Sequence, residues 1–570
     1  MNKTQQAFKN AQVFYINEKD QRCIAEAVAV TDGKFSFVGS EADLKAHISD
    51  ETEIIDLHGH TMLPGLADSH LHVGRTAELI YDVRMGEEMI PPSTSRDDAI
   101  DGYIARLKEA LTEDTAILRG AGWDSAFFMS FPEGHPTAAD LDKVSTEIPI
   151  IAHSYDMHYM WVNSRAMELA GIDRNTPEPR NGVVMKDEDG NPTGIFQETT
   201  AMDLLLNNLP GADYTVEEYK QAVRYYQDNF AKNNGITLVF DALSTPNAIK
   251  AYGEMARDGE LKMRIAGCIY ADPSCPESQF DDMIRNKGIY DVGDDFKIST
   301  IKFFMDGSGF SFSMNEPFEE EILKAAGFPE DYRGYAQWEQ DEINEIFKKL
   351  TESGLQIHVH CMGDGAVKET VNGFAYAAAD RDIRENRHTI AHIMLSDEED
   401  IERMAQLGII AAVQPMWAEF DSFAQYQAVP LLGKERMDRH YPFGRLKKAG
   451  CIITSGTDFP VSPVENPMFG MQTGMVRHVG RFHPEYETYK DVCLGDEKNK
   501  LSLDDMVGSY TIWPAYQCFM ENVTGSIEVG KSADFVILDG VITETAADQM
   551  ENMKVMATYF KGKKIYSQEV

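Results

Sequence analysis

Leu63-Pro64-Gly65-Leu66-Ala67-Asp68-Ser69-His70-Leu71-His72-Val73 reads as a short apolar run ending in two histidines one residue apart. On a β-strand residues i and i+2 face the same way, so His70 and His72 present two imidazoles in one direction. Two converging neutral imidazoles begin a metal site and make poor core filling. Alone, such a pair reads better as two surface histidines; the rest of the chain has to supply further ligands.

Downstream, near-continuous apolar runs recur, as expected of strands buried on both faces. With the opening run they number eight: 61–72, 235–241, 263–270, 298–305, 355–360, 388–392, 409–414 and 451–457. Between several lie amphipathic helices. Thr215-x-x-Glu218 forms a capping box ahead of Tyr219, Val223, Tyr226 and Phe230, and Gly235 closes that segment. Asp341 to Ser353 sets Ile343, Ile346, Phe347 and Leu350 on one face, and Ser396-x-x-Glu399 is expected to cap another helix. Eight buried strands alternating with helices predict an α/β fold, a TIM-like (β/α)8 barrel. No Gly-x-Gly-x-x-Gly follows any of the runs, which disfavours a dinucleotide-binding sheet.

The barrel is flanked by other material. Ala27–Val30 and Phe35–Val38 read as a hairpin turning at Asp32-Gly33. After residue 520 short strands return: Thr524 to Lys531 and Ala533 to Leu538 are expected to pair with the N-terminal strands. The roughly 150 residues after His72 exceed any normal loop and read as an insertion. The expected boundaries are 1–62 and 516–570 for two halves of a composite β-domain, and 63–515 for the barrel, with an insertion over 74–230.

Composition narrows the function. The formal net charge is −40, from 93 acidic against 53 basic residues. Charge of that sign and size disfavours nucleic acid and anionic membranes as partners. Seven scattered cysteines without a C-x-x-C argue for reduced thiols, and no N-terminal apolar segment or long apolar run is present, so the expectation is a cytoplasmic protein. The expected partner is a small-molecule substrate; a homodimer is the assembly kept in view.

In a parallel barrel, function sits where the strands end. Those ends carry His70 and His72, Lys302, His360, His392 and Asp458. Four of fifteen histidines on three strand ends lift the metal reading well above background. Lys302, in Ile301-Lys302-Phe303-Phe304, would be costly to bury as a free ammonium; it is either paired with Asp306 or Asp458, or a low-pKa amine able to form a carbamate with carbon dioxide. Asp458 reads as a turn cap or as a metal ligand that takes the proton of an activated water. His358 lies one layer deeper and His388 at the opposite end, so both read as packing, and Cys361 as a buried thiol.

These segments form an ordered set: Pro64-Gly65-Leu66-Ala67-Asp68-Ser69-His70-Leu71-His72, Gly122-Trp123-Asp124, His158-Tyr159-Met160-Trp161-Val162-Asn163, Ile301-Lys302-Phe303-Phe304-Met305-Asp306-Gly307-Ser308, His360-Cys361-Met362-Gly363-Asp364, Ala391-His392, Ser455-Gly456-Thr457-Asp458-Phe459-Pro460-Val461, Glu465-Asn466-Pro467-Met468 and Gly525 to Asp534. Together they resemble the amidohydrolase superfamily, in its YtcJ-like, amidohydrolase-3 branch that includes N-substituted formamide deformylases. The resemblance implies a metal-dependent barrel with a composite β-sandwich. It implies two zinc ions: one held by His70, His72 and Asp458, the other by His360 and His392, bridged by carboxylated Lys302. The implied activity is hydrolysis of a carbon–nitrogen bond other than a peptide bond, in a small amide, N-substituted formamide or cyclic amide, with Asp458 as general base and then acid. Trp123 and His158, from the insertion, are candidates for substrate contact, with packing as the alternative for both. Two rival readings remain: a mononuclear zinc deaminase of the same superfamily with Lys302 unmodified, and a non-catalytic barrel module.

Overall fold

A computed structural model describes residues 4–86, 90, 94–128, 131, 134–155, 157–462 and 466–568. Glu465 of the Glu465-Asn466-Pro467-Met468 motif lies outside the described residues.

Eight parallel strands make one sheet in sequential order: β1 (Leu66–Leu71), β2 (Ile236–Asp241), β3 (Arg264–Tyr270), β4 (Phe296–Phe304), β5 (Gln356–Cys361), β6 (Thr389–His392), β7 (Ile410–Val413) and β8 (Ile453–Ser455). The eight runs read from sequence are therefore the barrel strands, with one correction. The first run breaks at Gly65: Thr61–Pro64 belongs to a different sheet, and only Leu66–Leu71 enters the barrel. The cause is tertiary: a Cβ at Gly65 would overlap the Thr237 side chain, and its N–H is taken by the Asp534 carbonyl at 2.8 Å.

The barrel closes between β8 and β1 through bonds made by side chains and by backbone just past the strands. Asp68 accepts from Thr457 N (3.1 Å) and Thr457 Oγ1 (2.6 Å), and Gln517 ties Thr454 Oγ1 (2.5 Å) to the Ser69 carbonyl (3.0 Å). Asp458 N donates to the His70 carbonyl at 2.7 Å, and His72 N to the Phe459 carbonyl at 2.8 Å. Gly456 lies in this seam, where a Cβ would stand 2.6 Å from His70 N. Gly456→Ala should therefore push the seam open and cost about 1–3 kcal/mol. Denaturant unfolding checks this, and a variant as stable as the parent would show that another contact closes the barrel.

Two further sheets build the composite unit. One orders Lys34–Gly39, Ala27–Thr31, Gln6–Lys9 and Glu53–Asp56; the other orders Lys563–Ser567, Val555–Phe560, Phe535–Leu538, Thr61–Pro64, Gln12–Ile16 and Arg22–Ala25. C-terminal strands thus pair with N-terminal ones, as expected from sequence. One core joins the sheets, with Phe8 edge-on to Phe535 at 5.0 Å and Phe535 stacked on Tyr559 at 4.3 Å. The hairpin turns at Asp32 and Gly33, both at positive φ. Thr524 to Lys531 is not a strand but a turn-rich segment that buries Ile527.

The insertion carries its own mixed sheet, ordered Val183–Lys186, Pro192–Gln197, Tyr159–Val162, Ile150–Ser154, Leu118–Trp123 and Val83–Arg84. The helix Val216–Tyr226 starts at the Thr215–Glu218 capping box and packs Tyr219, Val223 and Tyr226 with barrel residues Val239 and Ile265. One cap differs from expectation: the helix Glu398–Leu407 starts from Asp397, and the Ser396 hydroxyl bonds to the Asp397 carbonyl instead.

Candidate metal centre

The strand ends converge as parallel-barrel geometry requires. His70 lies one residue before the end of β1 and His72 directly follows it, Lys302 lies on β4 and His360 on β5, His392 ends β6, and Asp458 follows β8. All six are buried. One ligand atom from each of His70, His392 and Asp458 lies within 4.8 Å of the others. His72 Nε2 stands 3.0 Å and His70 Nε2 3.5 Å from Asp458 Oδ1. The His392 ring is 4.7 Å from His70 and 4.6 Å from His360, which places it beside both rings.

The polar bookkeeping of this cluster fits a cation. Lys302 Nζ, His360 Nε2, His72 Nδ1 and Asp458 Oδ1 are buried without a well-formed hydrogen bond, although buried polar groups are ordinarily paired. Burial pushes the imidazoles of His70 and His360 well below the usual histidine range, and that of His392 to about 4, which keeps them in the neutral form that ligates. Burial opposes ionisation of Asp458, yet the two imidazoles beside it hold its carboxyl well below the usual range. Burial also lowers the Lys302 amine to about 8. Its neighbour is the Phe304 ring, 4.8 Å away, and neither Asp306 nor Asp458 forms an ion pair with it.

Partners that the sequence reading left out orient the ligands. His70 Nδ1 meets His358 Nε2 at 2.8 Å, so the deeper histidine read as packing also orients the first imidazole. His392 Nδ1 donates to Gln414 Oε1 at 2.8 Å, which leaves Nε2 its lone pair, and the ring stacks on Trp417 at 5.5 Å. Asp306 collects the N–H groups of Ser313, Met362 and Gly363 at 2.9–3.0 Å and so organises the loop after His360. His388 bonds Thr351 and the Ile357 amide at the far end, as read. Cys361 faces Thr370, away from the ligands. His392 (φ 72°) and Asp458 (φ 59°) both hold left-handed backbone, a conformation that costs about 1–3 kcal/mol.

From the insertion, His158 reaches the barrel mouth, its ring 6.3 Å from His360. Its Nδ1 lies 2.8 Å from Glu198 Oε2. Trp123 is placed apart: its ring is fully buried against Phe128, Tyr159 and Trp161, and its indole N–H donates to the Ala152 carbonyl at 3.0 Å. A second group among the described residues, Glu419, Asp421 and His483, is half-buried. There His483 Nδ1 accepts from the Glu485 amide at 3.1 Å, so the ring hydrogen sits on Nε2, facing Glu419 at 3.7 Å. In that tautomer Nε2 turns a hydrogen, and no lone pair, toward the carboxylates.

The profile of the amidohydrolase family matches residues 53–566. The chain belongs to this family. The YtcJ-like resemblance carried by the motifs is borne out: YtcJ of Bacillus subtilis (strain 168) is 27% identical over 560 residues, covering 95% of this chain and 96% of that one. The N-substituted formamide deformylase of Arthrobacter pascens is 24% identical over 550 residues, covering 94% of each. Among solved structures, an uncharacterized metal-dependent hydrolase from Pyrococcus horikoshii OT3 shares the fold, with a TM-score of 0.69 and 22% identity over 95% of this chain and 99% of that one. These likenesses run over at least 94% of this amidohydrolase-family chain. No helix among its described residues is long and apolar enough to cross a membrane.

Proposed function

We propose that this protein hydrolyses a carbon–nitrogen bond other than a peptide bond in a small amide, N-substituted formamide or cyclic amide. The observation that carries the reading is the cluster of neutral imidazoles and one ionised carboxylate around orphaned polar atoms at the barrel mouth. In the reading implied by the motifs, His70, His72 and Asp458 would hold one divalent ion, zinc by preference, and His360 and His392 a second. Lys302 would bridge them as a carbamate; its buried, unpaired amine supports that role. When bound, such ions would acidify water and polarise a carbonyl.

The chain's own residues supply the remainder. Asp458 Oδ1, held anionic between two imidazoles, accepts the proton of the attacking water and returns it to the departing nitrogen. Phe304 and Trp417 wall the ligand cluster with apolar surface and limit bulk water there. His158 contacts the substrate from the insertion, with Trp123 packed behind Tyr159 in the same sheet.

Chelation followed by desalting should abolish activity on an amide, formamide and lactam panel, and zinc or manganese should restore it. A metal-replete protein inert on the whole panel would favour a non-catalytic barrel. The three-residue convergence of His70, His392 and Asp458 also favours a one-metal deaminase reading. About one zinc per chain with full activity in Lys302→Ala would decide for it.

A further inference from the structure

The helix Asp364–Ala377, which follows β5, carries Gly365, Lys368, Glu369 and Asn372 at spacings of three and four, so the four share one face. A polar face on an outer barrel helix ordinarily meets solvent. Here it is partly covered. Ser313 closes one end of the face, Arg333 stands over it, and Gln340 opens the neighbouring helix Gln340–Glu352; together they enclose a cleft of about 370 Å³. None of the six candidate metal ligands lines it.

Two features separate this cleft from an ordinary wet groove. Glu369 Oε2 is buried with no hydrogen-bond partner, and burial together with the charge of Glu339 pushes the Glu369 carboxyl up to about 7. A buried acceptor without a donor is costly, and a ligand that brings a donor removes the cost. The second feature is charge. In a chain of net charge −40, both cations lining the cleft lack a carboxylate partner among the described residues. Arg333 bonds the Asn315 carbonyl at 2.6 Å, and the Lys368 ammonium makes no hydrogen bond or ion pair there.

The polar lining is fixed in advance. Asn372 Nδ2 donates to Gln340 Oε1 and Gln340 Nε2 to the Glu369 carbonyl, both at 3.1 Å, which ties the two helices across the cleft. At Gly365 a Cβ would stand 2.9 Å from the Ser313 carbonyl, whose oxygen takes the Gly365 and Ala366 amides at 2.9 and 3.2 Å. A half-buried carboxylate inside and two exposed cations at the rim complement a molecule with both charges close together. Its ammonium would meet Glu369, and its carboxylate Arg333 and Lys368. The cleft also touches the scaffold of the metal centre. Ser313 N donates to Asp306 at 3.0 Å, and Asp306 takes the amides of Met362 and Gly363, two and three residues after His360.

We propose that this cleft is an effector site for a small zwitterion of the α-amino-acid kind, bound through Glu369, Arg333 and Lys368, and that its occupancy is felt at the His360 loop through Ser313 and Asp306. The site does not depend on which bond the barrel hydrolyses.

Calorimetric titration of the metal-free protein with a panel of L-amino acids, up to about 10 mM, reads the binding. At least one should bind, with acetate and methylammonium, each carrying half of the charge pattern, about 10-fold weaker. Arg333→Ala and Glu369→Gln change exposed or half-buried side chains and should fold as the parent does, while each weakens the amino acid about 10-fold. By linkage, the amino acid should shift zinc affinity about 5-fold in a chelator competition, and Glu369→Gln should remove that shift. No binding by any amino acid, or acetate bound as tightly as the amino acid, overturns the proposal. Binding that survives in both variants places the ligand elsewhere and overturns it too. Zinc affinity that is the same with and without the amino acid overturns the link to the His360 loop, while the variants still decide the cleft. Turnover enters none of these readouts, so a failure of the amide reading cannot be mistaken for a failure here.

Discussion

Asp458→Asn is expected to lower kcat about 1000-fold, within the range set by removal of a positioned general base. The substitution keeps the size and shape of the side chain and its place between His70 and His72, where Oδ1 stands 3.5 and 3.0 Å from the two ring nitrogens. An amide oxygen can still approach a cation, but it cannot take up the proton of an attacking water. The parent carboxyl is held well below its ordinary range by those imidazoles, so it enters the cycle as the anion across the neutral range. The measurement is kcat at saturating metal, with bound metal counted in the same sample. A variant that binds its full complement of metal and turns over within tenfold of the parent would remove Asp458 from the role of base.

Lys302→Met is the second large effect, and its two parts have opposite signs. The Lys302 amine is fully buried without a hydrogen-bond partner, and burial lowers its pKa from 10.5 to about 8. A depression of that size corresponds to about 3 kcal/mol at neutral pH. The folded pKa is the lower one, so between pH 8 and 10.5 the unfolded chain binds more protons than the folded one. Stability of the metal-free protein should therefore rise with pH across that window, and the whole penalty should be present below it. Methionine carries no charge to desolvate and nearly matches the volume, so the variant is expected to be more stable by about 1–3 kcal/mol and to lose the slope. Activity should fall instead, by roughly 100-fold if the lysine bridges two metals. Urea titrations of chelated, carbon-dioxide-free protein from pH 7 to pH 10.5 follow the first part, and turnover of the reloaded enzyme the second. A variant that is destabilised and fully active would make Lys302 a packing residue.

The barrel could be read because each strand is a run of apolar residues bounded by turn or cap signals. Buried parallel strands require that pattern whatever their neighbours are, and so Ile236–Asp241, Gln356–Cys361 and Thr389–His392 appear close to their predicted bounds. Where a signal was local but had two uses, the reading slipped. The run through Gly65 is apolar on both sides, yet Thr61–Pro64 pairs with Phe535–Leu538 some 470 residues away. Ser396 and Asp397 are both competent caps, and the choice between them follows from the approach angle of the chain. Thr524 to Lys531 has strand-like composition, but only its end meets an edge, where Gly530 N and the Lys531 carbonyl bond Phe35, and the rest turns.

The candidate residues and their places at strand ends lie in the primary structure, because a barrel with β/α alternation delivers every strand's C-terminal end to one face. His70, His72, Lys302, His360, His392 and Asp458 follow from that rule and from the chemistry of their side chains. What the residues around them do was decided only by the tertiary structure. Gln414 bonds His392, His358 bonds His70, Asp68 and Gln517 close the seam, and Glu198 pairs with His158. These partners leave no periodic trace, since a hydrogen bond across tens to hundreds of residues depends on where two backbones meet in space and not on the composition of either segment.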